Sequence, residues 1–397
     1  MKIIWVKAGG LVPPDTGGKI RSFHIAKELA KNHEVTLFTF YVEEPNDEHH
    51  TLAPLFHRVV THPLKVSTGR GFGEAIGYLA SFFSPLPYSF SKYCRPEVTS
   101  HLREVLEAEQ YDIILCDFVN AAGVVPFDLG IPVVTFTHNV EAMIWKRHGE
   151  VAVNPVWKFV FKREYAKMRT AEMDYLRRST HVLTVSETDT AFFAQELPPA
   201  KITTIPTGVD IDYFIPTDGE EPESLVFTGS MDWMPNEDGI LYFVDAILPL
   251  IRKQRPKVKL WIVGRRPGKK ILALAESDPG IEVTGRVDDI RPSIAKGSVY
   301  IVPLRVGGGT RLKIFEAMAM GKAVVSTTIG AEGLPVTNGS DIILADEPAH
   351  FADEVYRLLG SPAERKRIGD AARRIVEEKY SWAAVARHVE SVLSLAV

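Results

Sequence analysis

The sequence predicts an α/β fold in which two doubly wound parallel sheets divide a chain of 397 residues. Three observations lead there. Short β-branched runs alternate with helix-length amphipathic stretches over nearly the whole length, the length suits about two domains, and a Pro-, Gly- and acid-rich linker, Asp210 to Glu223, falls near the midpoint. The implied domains are 1–209 and 210–379.

In the first half the expected strands are Ile3 to Val6, Val35 to Phe40, Ile113 to Cys116, Val133 to Thr137, His181 to Val185 and Ile202 to Ile205. In the second they are Leu225 to Thr228, Lys259 to Val263, Ile281 to Thr284, Val299 to Val302, Ala323 to Ser326 and Ile342 to Leu344. Several lead into Gly, Ser or His: Thr137 into His138, Val185 into Ser186, Thr228 into Gly229, Val263 into Gly264. Ligands of open α/β sheets bind beyond the carboxyl ends of the strands, so two such sheets are expected to face each other across one cleft lined by these residues.

Composition narrows the function classes. Each half, at roughly 200 residues, can bury about 70% of its unfolded surface, so neither needs a disulfide framework. Cys94 and Cys116 have neither metal-knuckle nor redox spacing, and the reducing cytoplasm is the expected compartment. Lysine plus arginine total 46 against 50 acidic residues, a formal charge of −4, which gives nucleic acid no global attraction. No apolar run approaches the roughly 18 residues of a membrane span, and Met1 to Val6 lacks the features of a secretory signal.

The sharpest local feature is the run Val306, Gly307, Gly308, Gly309, Thr310, Arg311, Leu312, Lys313, which follows a strand ending near Pro303 and opens a predicted helix, Thr310 to Met320. Three successive glycines suit a close approach to the main chain, and a helix start offers free N–H groups and a positive dipole end to an anion such as phosphate. Arg311 and Lys313 in that first turn are disfavoured by the dipole unless a negative ligand compensates them. Glu316 lies about 60 degrees around the axis from Lys313. It could accept hydrogen bonds from two ribose hydroxyls, or pair with Lys313 as an ordinary helix neighbour.

In the first half the loop Ala8 to Lys19 carries Gly9, Gly10, Gly17 and Gly18 ahead of a predicted helix, Ile20 to Lys31. A Walker A reading fails because Ile20 follows Lys19, and a dinucleotide fingerprint fails because no strand precedes Gly71 and Gly73. Gly17 and Gly18 either form a plain turn or approach a ligand.

Three stretches together resemble one known family, the retaining nucleotide-sugar glycosyltransferases of the GT-B fold, specifically glycosyltransferase family 4 in its polysaccharide-assembly branch. They are Pro13 to Arg21 with His33 to Leu37; Ile205, Pro206, Thr207, Gly208, Val209 and Asp210 with Tyr213 and Phe214; and Gly307 to Gly321. The resemblance spans essentially the whole chain, including a last helix at 380–397 that in the family crosses back to the first domain.

The resemblance implies a nucleoside diphosphate sugar as donor, with uridine or guanosine as base, bound mainly by the second domain. It would place Glu316 on the ribose, Arg311, Lys313 and the amides of Gly307, Gly308, Gly309 and Thr310 on the diphosphate, and Gly264, Arg286 and Val287 around the base. Gly17 and Gly18 would approach the reacting phosphate and sugar. His138 would contact the sugar near the reacting carbon, and the first domain would hold a saccharide or polyprenyl-linked acceptor.

Two positions depart from the family pattern. Gly308 stands where many members carry a sugar-contacting glutamate, and Ser230 and Asn236 stand where many place Arg and Lys in the loop Gly229 to Asn236. Arg311 and Lys313 are therefore expected to take a larger share of the leaving charge. Without a carboxylate at 308, front-face attack with the donor phosphate deprotonating the acceptor is the implied route, and His138 as general base is the second option.

Asp210 with Asp212, and Asp288 with Asp289, read as turn and capping residues, so chemistry without a divalent metal is expected. Trp145 to Arg178 interleaves aromatics, Trp157 among them, with Lys158, Lys162 and Arg163. It fits either a peripheral contact with an anionic membrane or a solvated face with buried anchors. Phe72 to Tyr93 could add to that surface. A sugar-nucleotide epimerase, a phosphorylase and a non-enzymatic sugar-binding protein are the competing readings on the same fold.

Overall fold

The computed structural model describes residues 1–14, 16–41, 47–64, 81, 84–152, 154–306 and 312–397. Two units emerge, Met1–Pro206 with Val385–Val397, and Thr207–Ala384. Each carries one wholly parallel sheet.

The first sheet contains β1 (Lys2–Ala8), β2 (Glu34–Tyr41), β3 (Arg58–Pro63), β4 (Ile113–Asp117), β5 (Val133–Phe136), β6 (His181–Thr184) and β7 (Ile202–Thr204) in the order β3-β2-β1-β4-β5-β6-β7. The second contains β8 (Ser224–Thr228), β9 (Lys259–Val263), β10 (Ile281–Gly285), β11 (Val299–Val302), β12 (Val324–Ser326) and β13 (Ile343–Leu344) in the order β10-β9-β8-β11-β12-β13. Both orders reverse direction once, between β1 and β4 and between β8 and β11, and the carboxyl ends of those strand pairs are where doubly wound sheets bind ligands.

Helices cover both faces, so the central strands are apolar throughout rather than alternating. Ile3, Ile4, Trp5 and Val6 of β1 are fully buried, with Trp5 in register between Leu37 and Leu115. Every strand expected from the sequence is present, with ends shifted by a residue or two. β3 is the addition: its Val59, Val60 and Thr61 form a short edge strand that His57, Arg58 and Pro63 disguise.

The first helix departs from expectation. It spans Gly17–Leu29, not Ile20 to Lys31, so Gly17 and Gly18 are its first two residues rather than part of a loop. Tertiary approach explains the glycine: a Cβ on Gly18 would stand 2.9 Å from Cζ of Phe118.

In the second unit the helix Leu312–Ala319 is held from behind. Arg373 donates to the carbonyls of Ala319 (2.5 Å), Phe214 (2.6 Å) and Ile211 (3.1 Å), and its helix, Pro362–Ile375, presses Gly369 against the Gly321 turn. A Cβ on Gly369 would stand 2.0 Å from the Gly321 carbonyl oxygen, whereas one on Gly360 would meet only the guanidinium end of Arg255 at 3.0 Å. Backbone cannot yield as a flexible side chain does. Gly369→Ala is expected to cost at least about 2 kcal/mol in urea unfolding, and Gly360→Ala to stay within about 0.5 kcal/mol of the wild type.

Candidate functional site

At the carboxyl ends of β1, β4 and β5 the first unit buries a set of ionisable groups that the sequence reading did not collect. Lys7, next to last in β1, and Asp117, the last of β4, are 2% and 0% exposed; His138 follows β5 and is 6% exposed. Lys7 Nζ donates to Asp117 Oδ2 (2.8 Å) and Ser22 Oγ (3.3 Å), Trp5 Nε1 donates to Asp117 Oδ2 (3.1 Å), and His138 Nε2 lies 2.9 Å from Asp117 Oδ1. Phe118 stacks on the His138 ring at 4.1 Å.

Neither ring nitrogen of His138 has a hydrogen-bond partner among the described residues: Nε2 stands 2.9 Å from the Asp117 carboxylate, and Nδ1 lies 3.7 Å from where a Cβ on Gly18 would be. That nitrogen faces the start of the Gly17–Leu29 helix. Burial pushes the His138 imidazole down to about 4, Arg21 and Lys7 acting the same way and Asp117 opposing. Burial would raise the Asp117 carboxyl, but Lys7 and His138 hold it well below the usual carboxylate range. Arg21, 3% exposed, is lowered to about 10 by burial. The site therefore presents a neutral imidazole, fixed cations and a helix start.

In the second unit the exits of β8 and β9 touch through backbone. Gly264, at φ +153°, has no room for a Cβ, which would fall 1.7 Å from the Gly229 carbonyl oxygen. Gly229 N donates to Val263 O (2.9 Å) and Met231 N to Arg265 O (3.0 Å). Asn236, buried in the helix Met234–Tyr242, donates from Nδ2 to Ser230 O (2.8 Å) and accepts at Oδ1 from Lys313 Nζ (2.6 Å), which also lies 4.1 Å over the Phe227 ring. Arg265 Nε donates to Ser230 Oγ (2.6 Å).

Glu316 sits one turn beyond Lys313, half-buried; burial raises its carboxyl to about 7 against the opposing charge of Lys313. Its helix is anchored by Ile314, Phe315, Ala317 and Met318, with Leu312 only half-buried. Arg286 is exposed just after β10, and Val287 packs half-buried on the core. Glycines 307 to 309, Thr310 and Arg311 lie outside the described residues, as do Gly71, Gly73 and Phe72.

The structure thus brings Gly229, Ser230, Asn236, Gly264 and Lys313 into one hydrogen-bonded group in the second unit, and Gly18 close to His138 in the first. Trp157, Lys158, Lys162 and Arg163 lie elsewhere, on the helix Pro155–Arg178. Lys7, Asp117, Arg21 and Arg265 were missed. The doubly wound rule applied to the ends of β1 and β4 points to the first two.

The aspartates set aside as turn residues have partners. Asp210 Oδ1 accepts from the amides of Asp212 (3.1 Å) and Tyr213 (2.9 Å), and Asp289 is held by Arg291. Ligand atoms of Glu34, His57 and Glu109 come within 4.8 Å of one another, a grouping that sequence spacing could not reveal. It lies at the opposite, amino end of the first sheet, where Lys2 Nζ pairs with Glu109 (3.0 Å) and Glu34 (3.4 Å).

Removing one partner of a buried ion pair strands the other. Asp117→Ala is expected to cost about 3–5 kcal/mol, and the double variant with Lys7→Met less than the sum of the two single changes, as a double-mutant cycle in urea would measure.

Residues 16–213 match the family model Glycosyltransferase Family 4, and residues 222–361 match Glycosyl transferases group 1. The chain is 27% identical over 282 residues to an MMP alpha-(1->4)-mannosyltransferase of Mycolicibacterium hassiacum, covering 68% of this chain and 66% of that protein. It is 29% identical over 202 residues to a phosphatidyl-myo-inositol mannosyltransferase of Mycobacterium tuberculosis, covering 47% and 52%. The matched spans cover between 42% and 66% of the curated relatives' own lengths. Among solved structures, a sucrose-phosphate synthase from Thermosynechococcus elongatus superposes with a TM-score of 0.67 at 16% identity, covering 100% of this chain and 99% of that one. Anabaena HepE in complex with UDP does so at 0.67 and 15%, covering 100% of both. With both domain models matched in sequence and two wholly parallel Rossmann-like sheets to carry them, the chain belongs among the glycosyltransferases of the GT-B fold.

Proposed function

We propose that the protein transfers a hexosyl group, with retention, from a uridine or guanosine diphosphate sugar to a saccharide or polyprenyl-linked saccharide acceptor in polysaccharide or glycoconjugate assembly. The bond from the anomeric carbon to the diphosphate oxygen breaks as the acceptor oxygen bonds to that carbon on the same face. The acceptor proton passes to the departing phosphate oxygen, and nucleoside diphosphate leaves. No divalent metal is required, because cationic side chains take the leaving charge.

The observation that carries this reading is the pairing, on one helix at the switch point of the second sheet, of a cation held by Asn236 with a half-buried carboxyl one turn further on. Lys313, with Arg311 and the glycine amides, serves the diphosphate; Glu316 serves the ribose. His138, lowered to about 4, is a weaker base than an ordinary imidazole, which favours the departing phosphate as the acceptor of the proton. Its unprotonated Nδ1 suits it to accept a hydrogen bond from a sugar hydroxyl, beside the amides of Gly17 and Gly18. The names of relatives support both donor bases: one from Corynebacterium glutamicum is GDP-mannose-dependent, and HepE was solved with UDP-glucose.

Incubation with a panel of nucleotide sugars, with and without saccharide acceptors and in the presence of chelator, tests the reading. Acceptor-dependent release of nucleoside diphosphate is expected. Interconversion of the sugar alone would mark an epimerase, and strict dependence on added metal would overturn the metal-free route.

Glu316 gives a pH signature. The carboxylate, not the acid, accepts two hydroxyl hydrogen bonds, so with a folded value of about 7 the affinity for nucleoside diphosphate should rise between pH 6 and pH 8. Titration calorimetry should show Glu316→Gln binding at least about tenfold more weakly at pH 8 and losing the part of the pH dependence that the carboxyl contributes.

A peripheral membrane contact extends the proposal to the acceptor. Val156, Trp157 and Phe159 are 68%, 41% and 59% exposed in the first turns of Pro155–Arg178, beside exposed Lys158 and Lys162. Among the described residues no helix is long and apolar enough to cross a membrane. Flotation with vesicles containing anionic lipid is expected for the wild type and lost when Lys158, Lys162 and Arg163 are changed to Glu.

A further inference from the structure

We infer that Arg265 holds the diphosphate of the donor, with Ser230 and Asn236 acting as neutral brackets that aim Arg265 and Lys313 at the same anion. The inference rests on the donor reading above and names a residue that reading does not use.

The geometry is a continuous chain of hydrogen bonds at the carboxyl edge of the second sheet. Arg265 Nε donates to Ser230 Oγ (2.6 Å), Asn236 Nδ2 donates to Ser230 O (2.8 Å), and Lys313 Nζ donates to Asn236 Oδ1 (2.6 Å). A cation from the loop after β9 and a cation from the helix Leu312–Ala319 are thus tied to the one short segment between Ser230 and Asn236. The backbone of Arg265 is fixed as well, because its carbonyl accepts from Met231 N and the preceding Gly264 lies against Gly229.

The pairing of arginines separates Arg265 from most others of its unit, with Arg286 and Arg374 likewise forming no ion pair among the described residues. Arg252, Arg255, Arg266, Arg291 and Arg305 of this unit each pair with a carboxylate: Asp278, Glu223, Asp232, Asp289 and Asp238. Arg265 forms no ion pair among the described residues; its fork is anchored at Nε by a hydroxyl and keeps both terminal nitrogens for another acceptor. In the tandem Arg265-Arg266, the second turns to Asp232 (3.1 Å) while the first turns to Ser230. A guanidinium with no ion pair of its own, linked through Ser230 and Asn236 to Lys313, matches a diphosphate in charge and fork geometry, while the nearby Asp232 carboxylate is engaged by Arg266. Neutral side chains at 230 and 236 suit this arrangement, since further cations there would repel both Arg265 and Lys313.

The test is binding of uridine and guanosine diphosphates, and of the matching nucleosides, to the full chain by titration calorimetry. Arg265→Ala is expected to weaken diphosphate binding at least tenfold while changing nucleoside binding less than twofold. Arg265→Lys should recover only part, lacking the Nε contact to Ser230. Because Ser230 Oγ touches the guanidinium, Ser230→Arg in the Arg265→Ala background should restore affinity to within about threefold, which repair of a merely structural defect would not do. Arg374→Ala, an exposed arginine on the helix Pro362–Ile375, controls for lost charge and should stay within twofold. Wild-type binding with an unchanged Arg265→Ala affinity overturns the inference and leaves the donor reading standing, as does loss of diphosphate and nucleoside binding alike. Absence of nucleoside diphosphate binding by the wild type overturns the donor reading and this inference together.

Discussion

The contact between the Gly229 carbonyl and Gly264 is the constraint on which the second unit's site depends. With a Cβ position 1.7 Å from that oxygen and φ at +153°, no other residue fits at 264. The approach zips the exits of β8 and β9 together through Gly229 N to Val263 O and Met231 N to Arg265 O. The short path from Met231 to Met234 then delivers the helix Met234–Tyr242 onto the sheet, so close that a Cβ on Gly239 would stand 3.0 Å from the Pro303 carbonyl oxygen. Asn236 can therefore reach Ser230 on one side and Lys313 on the other. A backbone contact between two glycines sets the spacing of side chains from one loop and two helices.

The first unit solves a different problem. Its charged groups are buried, and burying an ion pair ordinarily stabilises a fold no better than well-packed apolar residues would. Lys7, Asp117, Trp5 and His138 nevertheless occupy the centre of the sheet edge, at the switch point between β1 and β4. What the network provides is orientation. Asp117 accepts from Lys7 and Trp5 at Oδ2 while Oδ1 lies 2.9 Å from His138 Nε2, and Phe118 closes over the ring face, so the imidazole is held between a carboxylate and an aromatic plane. An environment organised before the substrate arrives needs no reorganisation during the reaction, which is where buried polar groups contribute most to catalysis.

The fold was legible because central parallel strands bury both faces and read as apolar runs between glycines and prolines. β3 was illegible for the converse reason: an edge strand needs fewer apolar residues, and Arg58, His62 and Pro63 mask it. The start of the Gly17–Leu29 helix was misplaced because paired glycines ordinarily signal a loop, while here the approach of Phe118 demands one inside the helix. The residues following strands, Gly229, Gly264 and His138, were found by rule. Lys7 and Asp117 were not, since each reads locally as the polar end of an apolar run and their partnership spans 110 positions. Arg265 was hidden in the cationic run from Arg265 to Lys270, where only folding reveals that Arg266 has a carboxylate and Arg265 does not.

Titration divides the two units. An ordinary imidazole, near 6.5, would carry partial charge at neutral pH; His138, at about 4, stays neutral down to about pH 5, so the group at the ends of β1, β4 and β5 keeps an uncharged ring across the physiological range. The cost appears in stability. Below about 6.5 the unfolded chain takes up a proton that the folded one refuses, so this contribution is complete above that value and declines as pH falls toward 4. Glu316 behaves oppositely: its folded value of about 7 lies above that of an unfolded glutamate, so near neutrality it is poised between acid and carboxylate. A ligand that donates hydrogen bonds selects the ionised form. On the proposed donor reading that selection is the pH dependence of nucleoside diphosphate binding, while the imidazole facing the glycine helix start stays neutral over the same range.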